Sequence, residues 1–242
     1  MANNRTLLNN KISQFILRID LSKDVDINYL KLTELLKDKY DSYKTELHVN
    51  YNVDIEKERV CRKDFIKYIL GTSSTATTLK IDSFEKSIII ESTQYENNTI
   101  YKQCLQNVIT ALKSIGENIS SRRIGMRYIN KFSCPNIMSI SKILSPLEAK
   151  AIKNAVSKDN IARAMMIHEF QCGTNIIRVQ FGVPNKFYPS IINNYDIILD
   201  IDVFSSGVEN MDEWAEAIKS YNHQAYDTFI KYIKDSFLET LK

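Results

Sequence analysis

Two aspartates near the end of the chain have the spacing of a metal-binding carboxylate pair. Asp200 and Asp202 are two residues apart in the β-forming segment YDIILDIDVF (195–204). Alternate side chains of a strand point to the same face, so both carboxylates should lie on one side of a sheet. With Glu169 or Glu91 nearby, they could hold Mg²⁺ as in a metal-dependent nuclease.

A second β-forming segment supplies cations that could neutralise these aspartates. SRRIGMRYINKF (121–132) places Arg123, Arg127 and Lys131 four residues apart, and hence on one strand face. A buried charge is costly unless it is paired. The sequence therefore favours structural ion pairs over a metal site, and it predicts that Arg127 contacts Asp200 or Asp202.

The same basic segment also suggests nucleic-acid binding. Single-stranded nucleic acid is bound by exposed aromatic side chains that lie beside cations. Both kinds of side chain are present, namely Arg122, Arg123, Arg127, Lys131, Tyr128 and Phe132. Because one face of so regular a strand should belong to the core, we treat nucleic-acid binding as an alternative.

A histidine and a cysteine could form a nucleophile–base dyad. His168 and Cys172 are four residues apart on one predicted strand face. Their neighbours on that face, Met166 and Phe170, are apolar, which favours a packed pair without catalytic function.

Familiar catalytic signatures are missing from the sequence. It contains no G-x-G-x-x-G, no P-loop, no C-x-x-C or H-x-x-x-H zinc motif and no G-x-S-x-G elbow. We therefore assign no catalytic residue, no metal ligand and no cofactor, and we expect a protein that is not an enzyme.

Composition is that of a soluble globular protein. The 242 residues include 32 basic and 29 acidic side chains, and the net charge of +3 is too small to indicate a nucleic-acid or membrane partner. No apolar run is long enough for a signal peptide or a membrane span. We expect a cytoplasmic protein whose cysteines are free thiols.

Periodicity predicts a mixture of strands and amphipathic helices. Apolar residues recur at helical spacing from Asp26 to Tyr43, from Asn97 to Ile115 and from Asn210 to Leu241, where Asn210 and Glu213 have capping-box spacing. Strict alternation from Leu47 to Ile55 predicts a strand with one dry face. Further strands are predicted at Gln14–Asp20, Lys63–Leu70, Thr77–Ile81, Ser87–Ser92, Ile161–Gln171 and Ile176–Val183.

These elements predict an α+β fold made of two similar halves. Residues 1–116 and 117–242 each contain antiparallel strands followed by a long amphipathic helix. The similarity of plan suggests an internal duplication, with each half an antiparallel sheet packed against long helices. One continuous domain is the alternative.

Two motifs resemble a sporadically distributed family of uncharacterised prokaryotic proteins. These motifs are RIGMRYIN (123–130) and LDIDVF (199–204), which precede a terminal helix containing Trp214. The resemblance implies binding roles without a settled activity, and patchy occurrence implies an accessory gene, for instance in antiviral defence or on a mobile element. The matching candidate binding residues are Arg123, Arg127, Tyr128, Asn130, Asp200 and Asp202.

We therefore expect a cytoplasmic interaction or regulatory subunit that binds a protein partner or forms a homodimer, without membrane association. The alternatives are a nucleic-acid-binding module and a metal-dependent nuclease that uses Asp200 and Asp202.

Overall fold

The structure is a computed structural model of the chain. It describes residues 7, 9–54, 59–116, 119–158, 160–205, 207 and 209–242.

Within these residues, ten strands form one antiparallel sheet. Its order is β2-β3-β4-β5-β1-β6-β9-β8-β7, and β10 pairs with β6. The strands are β1 (Ile12–Leu21), β2 (Ser42–Asp54), β3 (Arg59–Thr72), β4 (Thr77–Asp82), β5 (Ser87–Ser92), β6 (Ser120–Phe132), β7 (Ala164–Cys172), β8 (Asn175–Val183), β9 (Ile197–Ser205) and β10 (Glu209–Asn210).

Six α-helices lie in the described part of the chain, and none of them is long and apolar enough to cross a membrane. The predicted α+β class with a large antiparallel sheet is therefore confirmed. The helices are α1 (Tyr29–Leu36), α2 (Thr99–Ile115), α3 (Ile140–Ile143), α4 (Pro146–Val156), α5 (Trp214–Tyr232) and α6 (Asp235–Leu238).

Alternation along the strands gives the sheet two different faces. Phe15, Leu17 and Ile19 of β1 are buried and join the same core cluster as α2 and α5. We call this side the helix face. The opposite side, which carries ionic side chains such as Arg18 and Asp20, is called the charged face.

Helix α5 covers the centre of the helix face. Trp214, Ile218, Tyr221, Ala225 and Phe229 are spaced by three or four residues, and all five are buried. This stripe agrees with the predicted one, because a helix with apolar residues at that spacing must bury one side.

The first predicted helix is too long in both directions. The side chain of Asn28, rather than Asp26, caps α1 by accepting a hydrogen bond from Lys31 N at 3.0 Å. After a short 3₁₀ turn, Tyr40 is extended (φ −132°, ψ 149°). Tyr43 therefore belongs to β2, and its helical spacing was a coincidence of the apolar pattern.

The predicted terminal helix is interrupted at Ile233, which is extended (φ −102°, ψ 142°). Ile233 bridges to Leu144, and Ser145 N donates to Tyr232 O at 2.9 Å. The segment after α3 thus captures the backbone groups that would have continued the helix. At the other end, Asn210 accepts from Asp212 N at 3.3 Å, so the expected capping-box geometry is replaced by a 3₁₀ turn.

Strand β2 exists where alternation predicted it, but the expected dry face is uncovered. The exposed fractions are 60% for Leu47, 38% for Val49 and 59% for Tyr51, while Ile55 lies outside the described residues. The alternating pattern indicates a face that is suited to burial. In this protein, no helix or strand among the described residues covers that face.

The predicted halves share one sheet rather than forming a sheet each. Strand β1 pairs with β5 on one side and with β6 on the other. In both parts of the chain the last long strand returns to the opening strand, since β5 pairs with β1 and β9 pairs with β6. The boundary at residues 116 and 117 stays a prediction.

Candidate functional site

The candidate binding residues of β6 are divided between the two faces of the sheet. Arg123 and Arg127 lie on the charged face with Asp200 and Asp202 of β9. Tyr128 directly follows Arg127 in the strand, so its side chain points to the opposite side of the sheet and is buried on the helix face. Asn130 lies on that same helix face, so the six residues form two separate sites rather than one.

The predicted contact between Arg127 and the aspartates is confirmed for Asp200. Arg127 Nε donates to Asp200 Oδ1 at 2.8 Å and Nη2 donates to Oδ2 at 2.5 Å. Two parallel bonds of this kind form the strongest geometry for an arginine–carboxylate pair. The Asp200 side chain is 9% exposed, whereas that of Arg127 is 41% exposed, so the pair lies at the border of the solvent.

Arg123 connects two further carboxylates on the charged face. Its Nη2 lies 3.5 Å from Asp202 Oδ2, its Nη1 lies 3.9 Å from Asp20 Oδ2, and its guanidinium covers the Phe204 ring at 4.6 Å. A Cβ added at Gly125 would come within 3.2 Å of Phe204 Cβ and 3.5 Å of Arg123 Nη2. The glycine of RIGMR therefore leaves room chiefly for the side chain of Phe204, since 3.5 Å to Arg123 Nη2 is an ordinary contact distance.

The surroundings of Asp202 in the folded protein disfavour its ionisation. Burial raises the pKa of Asp202 above its usual value of 3.8, although the charges of Arg123 and Arg127 oppose the change. The neighbouring charge of Asp200 acts in the same direction as burial. The arginines therefore offset only part of the cost of placing two carboxylates side by side.

Lys131 does not join the aspartate pair. Its Nζ lies 3.5 Å from Asp196 Oδ2, at the end of β6. Burial alone would raise the pKa of Asp196, but hydrogen bonds from Cys134 N and Ser133 Oγ, with the charge of Lys131, hold that pKa below its usual value. This cluster links the segment before β9 to the segment after β6.

The geometry gives the nuclease hypothesis no support. Both aspartates contact arginines, Glu169 pairs with Arg178 at 2.5 Å and Glu91 pairs with Lys80 at 2.6 Å. Across the described ranges, no three or more His, Cys, Asp or Glu residues are grouped as metal ligands. The carboxylates that would have held Mg²⁺ are engaged in ion pairs.

The aromatic residues of the basic segment are not exposed. Tyr128 and Phe132 are buried on the helix face, and Phe132 packs edge-on against Phe237 with ring centroids 5.8 Å apart. Stacking of single-stranded bases needs accessible rings beside the cations. Arg123 and Arg127 thus lie on the opposite side of the sheet from the rings of Tyr128 and Phe132, and the ring beside Arg123 is that of Phe204 in β9.

The His168–Cys172 dyad is not formed. His168 Nδ1 lies 2.7 Å from the hydroxyl of Tyr232, and the imidazole packs against Phe181 with ring centroids 5.1 Å apart. Burial raises the pKa of Tyr232 to about 12, so this hydroxyl stays protonated. Cys172 is exposed on the edge strand β7, whereas the sequence predicted a packed cysteine.

On the helix face, a cavity of about 260 Å³ lies between the start of α2 and the middle of α5. Tyr128, Asn130 and Ile201 from β6 and β9 form its floor, while Asn98 and Asn222 belong to its two helical sides. Its lining residues come from both predicted halves of the chain.

An aromatic cluster forms one wall of this cavity. The ring of Tyr128 lies edge-on to Tyr95 at 5.6 Å between centroids and tilted to Phe15 at 5.1 Å. Phe15 also stacks with Tyr101 at 4.8 Å. Burial raises the pKa of Tyr95 to about 12 and that of Tyr128 well above its usual value, so both hydroxyls are uncharged at neutral pH.

Asparagine side chains orient the polar groups of the cavity. Tyr128 donates its hydroxyl hydrogen to Asn222 Oδ1 at 2.7 Å, and Tyr95 donates to Asn98 Oδ1. Asn130 Nδ2 donates to Leu199 O at 3.1 Å across the β6–β9 pair. Apart from Tyr128 and Asn130, these residues were missed by the sequence analysis, because they come from separate segments without a local motif.

Comparisons with known proteins leave the chain without an assigned family. No protein-family model matches it, and searches of curated proteins and of solved structures found no match. The proposed function therefore rests on the geometry described above.

Proposed function

We propose that the protein is an interaction subunit that associates with a second copy of itself through the β2–β3 hairpin. One observation supports the proposal. The hairpin extends beyond the helices, and its apolar side chains on the helix side are exposed to solvent.

The uncovered surface, called the arm face, consists of Leu47, Val49, Tyr51, Val60 and Ile66. The strand register pairs Leu47 with Ile66. The residues of the arm face alternate along each strand with residues that point to the other side of the hairpin. Val60 is 65% exposed and Ile66 is 38% exposed. An apolar area of this kind on a soluble domain marks a protein contact.

The arm face continues the core surface of the same two strands. Tyr68 and Leu70 lie on the same side of β3, closer to the helices, and both are buried. The layer that covers the sheet therefore ends between residues 66 and 68. Among the residues that the structure describes, none supplies a second layer over the arm, and we propose that another chain does.

Charge favours a second copy as the occupant. On the same side of β3 as the arm face, Arg62 Nε lies 2.7 Å from Asp64 Oδ1, so one cation and one anion lie beside its apolar residues. A two-fold axis can set each cation opposite the anion of the other copy, which makes this surface complementary to itself. Two such faces can stack like the sheets of a β-sandwich, at about 10 Å.

The oligomeric state of the full chain tests this proposal. Sedimentation at several protein concentrations should show a dimer for the wild type and a monomer for Leu47→Asp and Val49→Asp. The matched controls, His48→Asp and Asn50→Asp, lie on the other side of β2 and should remain dimeric. A wild type that is monomeric throughout, or variants of both sides that behave alike, would refute self-association and leave the arm for a different protein.

We also propose that the two parts of the fold arose by duplication. The support is the shared plan in which an opening strand is followed by a helix and then by antiparallel strands, the last of which returns to it. The proposal predicts that β1, β4, β5 and α2 superpose on β6, β8, β9 and α5 by one rotation. Different rotations for the strands and the helix would contradict it.

A cytoplasmic location is proposed as well. The four cysteines are all free, which suits a reducing compartment. When the purified protein is unfolded without any reductant, an alkylating reagent should modify all four thiols. Recovery of a disulfide-linked form from its own cells would contradict this location.

A further inference from the structure

The cavity between α2 and α5 has the size of a small-molecule site and is open to solvent. Its volume of about 260 Å³ exceeds the roughly 150 Å³ of an engineered cavity that holds benzene. Glu96, Asn97 and His223 line its rim and are exposed. A ring with substituents can therefore enter and be enclosed.

Its inner surfaces suit a flat ring. The floor includes Ile201 and the Tyr128 ring, and Phe229 contributes from α5. The edge-on contact between Tyr95 and Tyr128 fixes the aromatic wall. Planar heterocycles gain most from such surfaces, because bases in protein pockets stack between aromatic and apolar side chains.

Two asparagines leave one acceptor and one donor available inside the cavity. Asn130, only 3% exposed, uses Nδ2 for Leu199 O, and its Oδ1 accepts no hydrogen bond from the described residues. Asn222 uses Oδ1 for Tyr128, and its Nδ2 donates to no described residue. Neither atom is among the fully buried polar atoms that lack a partner in the described residues, so both are accessible to a hydrogen-bonding ligand in the cavity.

One acceptor and one donor are the kinds of group that the edge of a nucleobase can bind. Bases present neighbouring donors and acceptors in one plane, and asparagine side chains recognise such edges. The charged residues around the cavity narrow the class of ligand further. The described residues that line the cavity include Glu96 as a carboxylate and no lysine or arginine, so a phosphate group would find no cation there.

We propose that this cavity binds an uncharged nucleobase, carried by a free base or a nucleoside, with the ring enclosed among Tyr128, Ile201 and Phe229 and its polar edge directed toward Asn130 and Asn222. This site is independent of the arm face. Binding therefore does not require the second copy of the chain.

Calorimetric titration of the full-length protein with adenosine, guanosine, cytidine and uridine tests the proposal. At least one nucleoside should bind with a one-to-one stoichiometry at submillimolar concentration. Asn222→Leu keeps the side-chain size but removes the amide, and it should weaken that binding about tenfold or more. The matched control, Asn154→Leu, changes an exposed helical asparagine outside the cavity and should leave the affinity unchanged.

Two further measurements keep the test decisive. His223→Ala alters only the exposed rim, so it should retain the fold and weaken binding modestly even if Asn222→Leu fails to fold. The 5′-monophosphate of the best nucleoside should bind more weakly than the nucleoside itself. Absence of binding by all four nucleosides, tighter binding of the monophosphate, or affinity unaffected by both cavity variants would overturn the proposal.

Discussion

Arg127 binds Asp200 rather than Asp202, although Asp202 is the residue directly opposite it in the β6–β9 pair. The guanidinium reaches diagonally along the sheet to the position two residues away, and its Nε and Nη2 bind the more buried of the two carboxylates. Arg123 is then the closer arginine to Asp202. Each arginine of the RIGMR segment thus serves a different aspartate of LDID.

The Arg127–Asp200 pair should stabilise the folded state. Arg127→Ala leaves a nearly buried carboxylate without its cation and should lower the free energy of unfolding by about 1–3 kcal/mol, as loss of a charged hydrogen-bond partner does. Urea denaturation of both single variants and the double variant should give a coupling of about 0.5–3 kcal/mol.

An exposed ion pair provides the control for this cycle. Lys219 and Glu216 are 3.2 Å apart on α5 with both side chains largely in solvent, so Lys219→Ala should change stability by about 1 kcal/mol or less. An Asp200→Ala variant with unchanged stability would show that the carboxylate is retained for binding rather than for folding.

Ionisation of Asp202 should oppose folding. Because burial raises its pKa in the folded protein, the native state holds this proton to a higher pH than the unfolded state does. The contribution of Asp202 to stability is therefore largest at low pH and is lost as the pH rises from about 3.8 through its folded pKa.

The difference in unfolding free energy between the wild type and Asp202→Asn isolates this effect. Measured from pH 3 to pH 7 at constant ionic strength, the advantage of the wild type should decrease with rising pH in that window. An advantage that grows with pH would mean that the arginines outweigh burial.

Helix α5 should be indispensable for folding. Trp214 is fully buried, and Trp214→Ala should cost about 3–5 kcal/mol. Leu147→Ala removes an apolar side chain that is 73% exposed and should be nearly neutral. Truncation before Asn210 should yield insoluble protein, and a soluble truncate that unfolds cooperatively would show that α5 is an appendage.

The exposed thiols should react faster than the buried thiol of Cys134. Cys61 and Cys172 are exposed, whereas Cys134 is buried and burial, with the nearby charge of Asp196, raises its pKa to about 11. A thiol-reactive chromophore at neutral pH should therefore modify Cys61 and Cys172 first and Cys134 only after unfolding. The Cys61→Ser, Cys172→Ser variant should lose the fast phase, and fast modification of Cys134 would contradict its burial.

Local patterns predicted the central strands well. Ser87–Ser92 matches β5 residue for residue, and Thr77–Ile81 differs from β4 only at its last residue. A contact of Arg127 with Asp200 or Asp202 was also predictable, because alternation fixes which side chains share a face and buried charge demands a partner, but the choice of Asp200 was not. Both inferences use only a strand and its immediate chemistry.

What could not be predicted depends on distant segments. The alternation of Leu47, Val49 and Tyr51 shows an apolar side but not whether a helix reaches it. Asn98, which precedes α2, and Asn222 in α5 line the same cavity. Nothing in the sequence around either asparagine distinguishes it from a solvent-exposed asparagine. Only the tertiary fold brings their amides together.

The position of β1 in the middle of the sheet sets the order in which the protein can assemble. In a growing chain, β1 gains its first neighbour when β5 has been made and its second only when β6 has followed. Between these stages one long edge of β1 is a free template for strands of other chains. Pairings of such high sequence separation also fold slowly. Synthesis is therefore the period in which this protein is most exposed to aggregation, and delayed translation before β6 should lower the yield of native protein.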